Sequence, residues 1–308
     1  MSPSSSPGDG SPLRVALVGL GHMGVPIGER ILDAGYPLVV FNRTAEKARL
    51  LLERGAEQAA GLSKLLEDAD VCITMVSDDA ALEAVTTRSG GILEGARPDT
   101  VLVDMSTVSV AGSARVGEAA RRAGVQFVRA PVSGNPTVVS AGNLTIIVSG
   151  PRDGFERVEG VVRAVGPNVY YVGSADEARV VKLMLQVMIG GTAQLISESL
   201  ALGEAGGVSR AQLLEVMGNS AAGSPFVKYK TEALLGNDYA ATFTTTMMKK
   251  DIDLVLGLAA DESLSLPFTE TLDELLQRAI TGGYGELDLM ALHLLVLGIA
   301  PHAVGETV

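Results

Sequence analysis

The sequence predicts an α/β chain in two parts: a mostly parallel sheet with helices on both faces, then an all-helical domain joined to it by a long helix. Three observations predict it. From Leu13 to about Gly166 short β-branched runs alternate with helical patterns, the order that builds a sheet from strand-helix-strand units. A glycine-rich turn separates the first strand from the first helix. Beyond Asp176 no strand-like alternation recurs, and every remaining segment carries helical periodicity.

In order, the strands are RVALV from Arg14, PLVVF from Pro37, VCITMV from Val71, TVLVD from Thr100 and VQFV from Val125, with helical stretches between them. NLTIIVSG from Asn143 and NVYYVG from Asn168, on either side of a helix at about 152–164, extend the sheet and close the first domain. The helices of the second part are expected at 177–202, 209–217, 226–235, 244–261, 268–281 and 287–297. The first of them contains VVKLMLQVMIGGTAQLI, apolar nearly all round, which predicts a buried helix connecting and packing between the domains.

Composition sets the outer limits. At 308 residues, 47% hydrophobic and 19% charged, the chain is too long for one ordinary core and too apolar to be disordered, so two globular domains are expected. Thirty-six acidic against 24 basic residues give a formal net charge of -12, whose field repels a phosphate backbone and argues against nucleic acid as a partner. The single cysteine, Cys72, leaves no internal disulfide and no cysteine-based zinc cluster, so no metal is expected; in its strand it reads as a buried, inert thiol. MSPSSSPGDGSP at 1–12 has neither a basic n-region nor an apolar h-region and reads as a flexible tail. The charge-free run from Ala130 to Pro151 is long enough to span a bilayer but contains Pro131, Gly134, Pro136, Gly142 and Asn143, so it reads as strand, turn and strand. A cytoplasmic chain with no membrane contact is expected.

The turn after the first strand is Gly19-Leu20-Gly21-His22-Met23-Gly24, followed by PIGERILDAG. Gly19 allows the tight turn, Gly21 lets the backbone approach a pyrophosphate, and Gly24 permits close packing of helix on strand, with the phosphate charge on the helix N-terminus. Strand, turn, helix and second strand together make this a dinucleotide site in a Rossmann domain, expected at 13–175, with the helical domain at 176–308. The second strand ends in Asn42-Arg43-Thr44 where a site preferring NAD places an acid for the ribose 2′-hydroxyl. Arg43 can stack on adenine and, with Asn42 and Thr44, bind a 2′-phosphate, which favours NADP over NAD.

Ligands bind beyond the carboxyl ends of parallel strands, so the loops there carry the chemistry. Met75-Val76-Ser77 is expected along the cofactor, and Asp104-Met105-Ser106-Thr107 places Thr107 near the nicotinamide ribose. Ala130-Pro131-Val132-Ser133-Gly134-Asn135-Pro136 is rich in small residues whose exposed amides suit a substrate carboxylate or carbonyl oxygen. Lys182 is the one charge between Arg179 and Glu198 on the apolar helix, and Gln186 follows four residues later on the same face. Burial lowers a lysine pKa, and an amine that can exchange its proton near neutral pH suits proton transfer to a carbonyl oxygen receiving hydride.

These matches join into one pattern, which resembles the β-hydroxyacid dehydrogenase family from Leu13 onward: GLGHMG at Gly19, NRT at Asn42, DxST at Asp104, APVSG at Ala130 with the later AGNLT, the helix carrying Lys182, and KKDIDLVLGLA at Lys249. The resemblance implies Lys182 as catalytic acid or base, Ser133 and Gly134 in the substrate loop, Thr107 on the nicotinamide side, Lys250 reaching the cofactor, and an all-α domain that forms dimers. Departures bear on substrate. The family reads SGG where this chain has Ser133-Gly134-Asn135, Val138-Val139 replace a Gly-Ala pair, and Gln186 stands where the family carries Asn. An NADP-preferring oxidoreductase of a small β-hydroxyacid or its semialdehyde is expected, with Lys182 moving the proton, Gln186 orienting it, and Ser133, Gly134 and Asn135 holding the substrate. The alternatives are an imine reductase, in which the lysine is typically replaced by another acid, and a cofactor-binding module with little turnover. His22 reads as facing cofactor or solvent and His293 as a satisfied core or interface residue. A mean hydropathy of +0.30 and the long apolar helices predict a homodimer.

Overall fold

The computed structural model describes residues 11–301, so the expected tail lies outside the described residues except for Ser11 and Pro12. The chain divides into two compact units, one ending at Lys182 and the other beginning at Leu183. The division falls inside a helix, beyond the border between residues 175 and 176 drawn from the sequence; the first turn of that helix is hydrogen-bonded to strand-end residues of the first unit, Ala178 N to Ser149 Oγ and Arg179 to Asp104.

In the first unit the elements follow in the order β1 (Val15–Val18), α1 (Gly24–Asp33), β2 (Leu38–Phe41), α2 (Arg49–Glu53), β3 (Glu57–Gln58), α3 (Leu65–Asp68), β4 (Val71–Thr74), α4 (Asp79–Thr86), β5 (Val101–Asp104), α5 (Val110–Arg122), β6 (Gln126–Arg129), β7 (Val132–Ser133), α6 (Pro136–Ser140), β8 (Thr145–Ser149), α7 (Arg152–Val165) and β9 (Asn168–Gly173). The sheet order is β3-β2-β1-β4-β5-β6-β8-β7, with β9 paired to β8. All pairs from β3 to β6 are parallel, β8 runs antiparallel to β6 and β7, and β9 is again parallel to β8. Alternation along each strand makes two cores. Val15, Leu17, Val71, Ile73, Val101 and Val103 pack with Ile27 and Ile31 of α1 and Phe155 and Val158 of α7. Ala16, Val18, Cys72 and Leu102 face the other way, onto Leu82 of α4 and Val116 and Ala120 of α5. Both faces are therefore covered, and β1, β4 and β5 are buried throughout. The thiol of Cys72 is buried, and desolvation drives its pKa far up.

α8 (Glu177–Ala205) begins in this unit and continues into the second. It is not buried all round, as its composition suggested: Val180, Met184, Met188, Leu195 and Leu202 are exposed at spacings of four and seven residues, and form one apolar stripe. By length and composition α8 could cross a membrane, yet half of its most apolar stretch is buried within the protein. Apolar composition sets what a face would gain from cover, not whether this chain alone covers it.

The second unit continues with α9 (Arg210–Asn219), α10 (Pro225–Leu235), α11 (Thr245–Asp261), α12 (Pro267–Ala279) and α13 (Leu292–Leu297). Its core gathers Ala193, Ile196 and Leu200 of α8, Phe226 and Leu234 of α10, Met248 and Ile252 of α11, and Leu272 and Leu276 of α12. Two helices expected to be continuous are broken. The 268–281 helix gives way after Ala279 to a wide turn through Gly283 at φ +90°, and the 287–297 helix opens as a 3-10 turn at Leu289–Ala291 capped by Asp288. Asp288 is occupied further: Lys230 Nζ lies 2.7 Å from both its carboxylate oxygens, and Thr242 N and Oγ1 donate to Oδ2. Burial works to raise the Asp288 carboxyl, but the Lys230 ammonium and these hydrogen bonds hold it below the usual carboxylate range. His293 is fully buried, with Nδ1 3.1 Å from Ser197 O and Nε2 3.2 Å from Arg210 Nη2, and burial pushes its pKa down. It is a satisfied core histidine.

Candidate active site

The glycine-rich turn is shaped by what surrounds it. Gly19 sits at φ +96°, and a Cβ there would collide with the carbonyl oxygen of Met75, while one on Gly24 would collide with that of Gly19. A Cβ on Gly21 would instead meet nothing within 4 Å, so the turn is open on the side where Gly21 and His22 are exposed. α1 begins behind that opening with Met23 at its N-cap, no side-chain cap and no acidic residue in its first turn. First-turn amides without a side-chain cap, beside an open backbone, fit a dinucleotide pyrophosphate.

Asn42 braces this turn. Its Oδ1 accepts from Leu20 N at 2.9 Å, and its Nδ2 donates to Thr44 O at 2.8 Å, so it joins the end of β2 to the turn after β1. Arg43 and Thr44 are exposed, and Arg43 has no hydrogen-bond or ion-pair partner among the described residues.

The loops after β4 and β5 are held by one buried carboxylate, Asp104, at 0% exposure. Its Oδ1 accepts from Thr74 Oγ1 at 2.6 Å and Ser106 Oγ at 2.7 Å, and Ser106 Oγ in turn accepts from Val76 N at 2.9 Å. Val76 is half-buried beside the exposed Ser77, and Thr107 is half-buried after Ser106. The other oxygen of Asp104 accepts from Arg179, a residue of α8 that is 1% exposed. Arg179 also donates through Nη1 to Ser106 O at 2.8 Å and through Nε to Ser113 Oγ at 3.1 Å. Desolvation lowers the Arg179 guanidinium, and Asp104 opposes it. Beside this pair Arg129 grips Asp176 with Nε at 2.9 Å and Nη2 at 3.0 Å, and Ser113 Oγ donates to Asp176 at 2.6 Å.

The loop expected to take the substrate is less open than its small residues suggest. Val132–Ser133 forms β7, and Gly134 turns at φ +144° where a Cβ would press on Leu144 and Val138. Asn135 caps α6, its Oδ1 accepting from Val138 N at 2.9 Å. Asn135 therefore has its amide nitrogen to offer a ligand, and Ser133 is half-buried with no hydrogen-bond partner for its hydroxyl among the described residues. Lys182, the last residue of the first unit, is 9% exposed.

Gln186 and Lys250 belong to the second unit, where they share a partner that the sequence did not single out. Gln186, 4% exposed, donates from Nε2 to Asp251 Oδ2, and Lys250 Nζ lies 2.8 Å from Asp251 Oδ1. The neighbouring Lys249 is a bridge within the helices, 2.6 Å from Asp253 and 3.0 Å from Asp273 of α12. The tandem lysines thus divide: one ties α11 to α12, and the other stays at its neighbour's carboxylate with its side chain 30% exposed. The signal for Asp251 was present in the KKD run; the signal for Arg179 was a second charge on an apolar helix, one turn before Lys182. No cluster of His, Cys, Asp and Glu able to hold a metal ion occurs among the described residues.

Residues 14–173 match the NAD binding domain of 6-phosphogluconate dehydrogenase, and residues 177–296 match the domain described as NAD-binding of NADP-dependent 3-hydroxyisobutyrate dehydrogenase. The chain belongs to the β-hydroxyacid dehydrogenase family. It is 32% identical over 282 residues to an oxidoreductase of Bacillus subtilis, covering 91% of this chain and 98% of that protein. It is also 32% identical over 260 residues to the 3-hydroxyisobutyrate dehydrogenase of Pseudomonas aeruginosa, covering 82% of this chain and 87% of that one. The structure of 3-hydroxyisobutyrate dehydrogenase from Salmonella typhimurium superposes with a TM-score of 0.85 at 25% identity, over 92% of this chain and 99% of that one. This member of the family is accordingly an NAD(P)-dependent dehydrogenase or reductase acting on CH–OH groups, and it takes a nicotinamide cofactor and a small-molecule substrate.

Proposed function

We propose that the enzyme is an NADP-preferring oxidoreductase that interconverts a small β-hydroxyacid and its semialdehyde, with Lys182 as the proton donor and acceptor. One observation carries this reading: a lysine buried to nine-tenths in the first unit, on a helix bolted to the carboxyl ends of β4 and β5, where an α/β sheet binds its ligands. A lysine amine positioned at a carbonyl oxygen can hand it a proton and take the proton back. Gly19 to Gly24 would hold the pyrophosphate, Arg43 and Thr44 the 2′-phosphate, and Val76, Ser77 and Thr107 the nicotinamide side. When bound, the nicotinamide supplies or accepts the hydride. Lys182 gives its proton to the substrate oxygen in reduction and takes it back in oxidation, while Ser133, Gly134 and Asn135 hold the acid group by hydroxyl and amide donors. Gln186 and Lys250, joined through Asp251, would serve lysine orientation and cofactor binding respectively. Lys182 also weighs against imine reduction.

Two results test this reading. Titrated with NADPH and NADH, with nicotinamide fluorescence as the signal, the protein is expected to bind NADPH more tightly. Arg43→Asp should weaken NADPH binding by about 10-fold or more and leave NADH within a few-fold, since it removes one charge-assisted contact, about 1.5–3 kcal/mol, and adds a repulsive one; equal losses for both cofactors would remove Arg43 from the phosphate site. The exposed stripe of α8, Met184, Met188, Leu195 and Leu202, supports a homodimer. Light scattering is expected to report twice the chain mass, and a monomer at working concentration would reject the dimer.

A further inference from the structure

We infer that Arg179 is the positioning residue for Lys182: it fixes the first turn of α8 against the loops after β4 and β5, and so sets where the lysine amine stands. The inference rests on the proposed role of Lys182.

Three features point to it. First, Arg179 has all three guanidinium nitrogens engaged, on the Asp104 carboxylate, the Ser106 carbonyl and the Ser113 hydroxyl. A planar fork bonded at three points cannot rotate or slide, whereas a single ammonium could hold only a point. Second, Lys182 follows three residues later in an unbroken helix, which places its Cα about 4.5 Å further along the axis and about 60° round it. Whatever fixes Arg179 therefore fixes the backbone from which the lysine projects. Third, the anchor points are the supports of the proposed cofactor side: Asp104 holds Ser106, and Ser106 holds the backbone of Val76. One continuous chain of bonds runs from Val76 through Ser106 and Asp104 to Arg179.

Stability alone is a poor reason for such an arrangement. Removing two charges from water offsets most of their attraction, and an apolar pair of similar volume often serves a fold as well. The second arginine, Arg129, grips Asp176, whose carbonyl accepts from the amides of Arg179 and Val180, so the start of α8 is held from two sides. Proton transfer is sensitive to placement, and an error of about 1 Å in a catalytic group lowers rates by about 100-fold.

The test is Arg179→Lys in the full chain, with kcat, KM, the pH profile of kcat and NADPH affinity measured beside Lys182→Ala. NADPH oxidation is followed with the best of succinic, tartronate and methylmalonate semialdehydes. Arg179→Lys keeps the charge but not the fork, and is expected to lower kcat by about 10- to 100-fold. NADPH affinity and KM should stay within about twofold, and the pH midpoint of kcat should move, which a purely structural arginine would not cause. Ser113→Ala, which deletes one anchor and leaves the ion pair, should lower kcat by about threefold at constant NADPH affinity, and it decides the matter if Arg179→Lys does not fold. A folded Arg179→Lys enzyme with normal kcat and pH profile, or a loss of kcat matched by an equal loss of NADPH binding, overturns the inference. Undiminished turnover in Lys182→Ala overturns the parent reading instead, and an inactive Lys182→Ala beside a normal Arg179→Lys overturns the positioning role alone.

Discussion

Lys182→Ala is expected to lower kcat by about 10²- to 10⁴-fold, the range that a positioned proton donor contributes, while NADPH binding stays within about twofold. The side chain is buried to nine-tenths, so its removal also leaves a small cavity, and thermal denaturation should accompany the kinetics. Lys182→Arg separates two explanations. Arginine keeps the positive charge but holds its proton far above neutrality and does not give it up there. If the amine acts by proton transfer, the arginine enzyme should be nearly as slow as the alanine enzyme. If it acts only as a fixed charge on the substrate oxygen, the arginine enzyme should recover much of the rate. Near-normal turnover in Lys182→Ala would leave the site without its proton donor and end the assignment.

How much could be read beforehand depended on how far apart the interacting residues lie in the chain. The glycine turn was legible because its requirements are local: a strand, a turn at positive φ at Gly19 and a helix packed at Gly24 all fall within ten residues of sequence. The strands through Val15, Val71 and Val101 were legible for the same reason, since burial on both faces writes itself as an uninterrupted apolar run. β3 and β7, with two residues each, fall below any window in which a period of two can be counted. The polar partnerships were not legible. Arg179 and Asp104 are 75 residues apart, Gln186 and Asp251 65, and Lys230 and Asp288 58; nothing in a local pattern says which buried charge will meet which. Asp104 could be flagged as a residue at a strand end, but its partner could not. Gln186 illustrates the limit most directly: it stands where the family carries Asn, and nothing near it in the sequence says that its amide meets Asp251.

Asp104→Ala is expected to destabilise the first unit by about 3–5 kcal/mol, the usual effect of leaving a buried partner charge without its counter-ion. Arg179 would remain 1% exposed with its carboxylate gone, and Thr74 and Ser106 would each lose an acceptor. For a unit of this size each kcal/mol moves the melting temperature by about 2–4 °C, so a fall of about 6–20 °C should be readable by calorimetry. Removing both charges is a different experiment. Asp104→Leu combined with Arg179→Met leaves no stranded ion, and apolar replacements of a buried pair are often neutral for stability. The double variant should therefore recover most of the lost melting temperature. It should not recover turnover, because an apolar pair fills the space without holding the Ser106 loop or the register of α8. Stability restored with activity still low would separate what the ion pair does for the fold from what it does for Lys182. A double variant as unstable as Asp104→Ala would show that the surrounding hydroxyls and carbonyls, and not the stranded charge, dominate the loss.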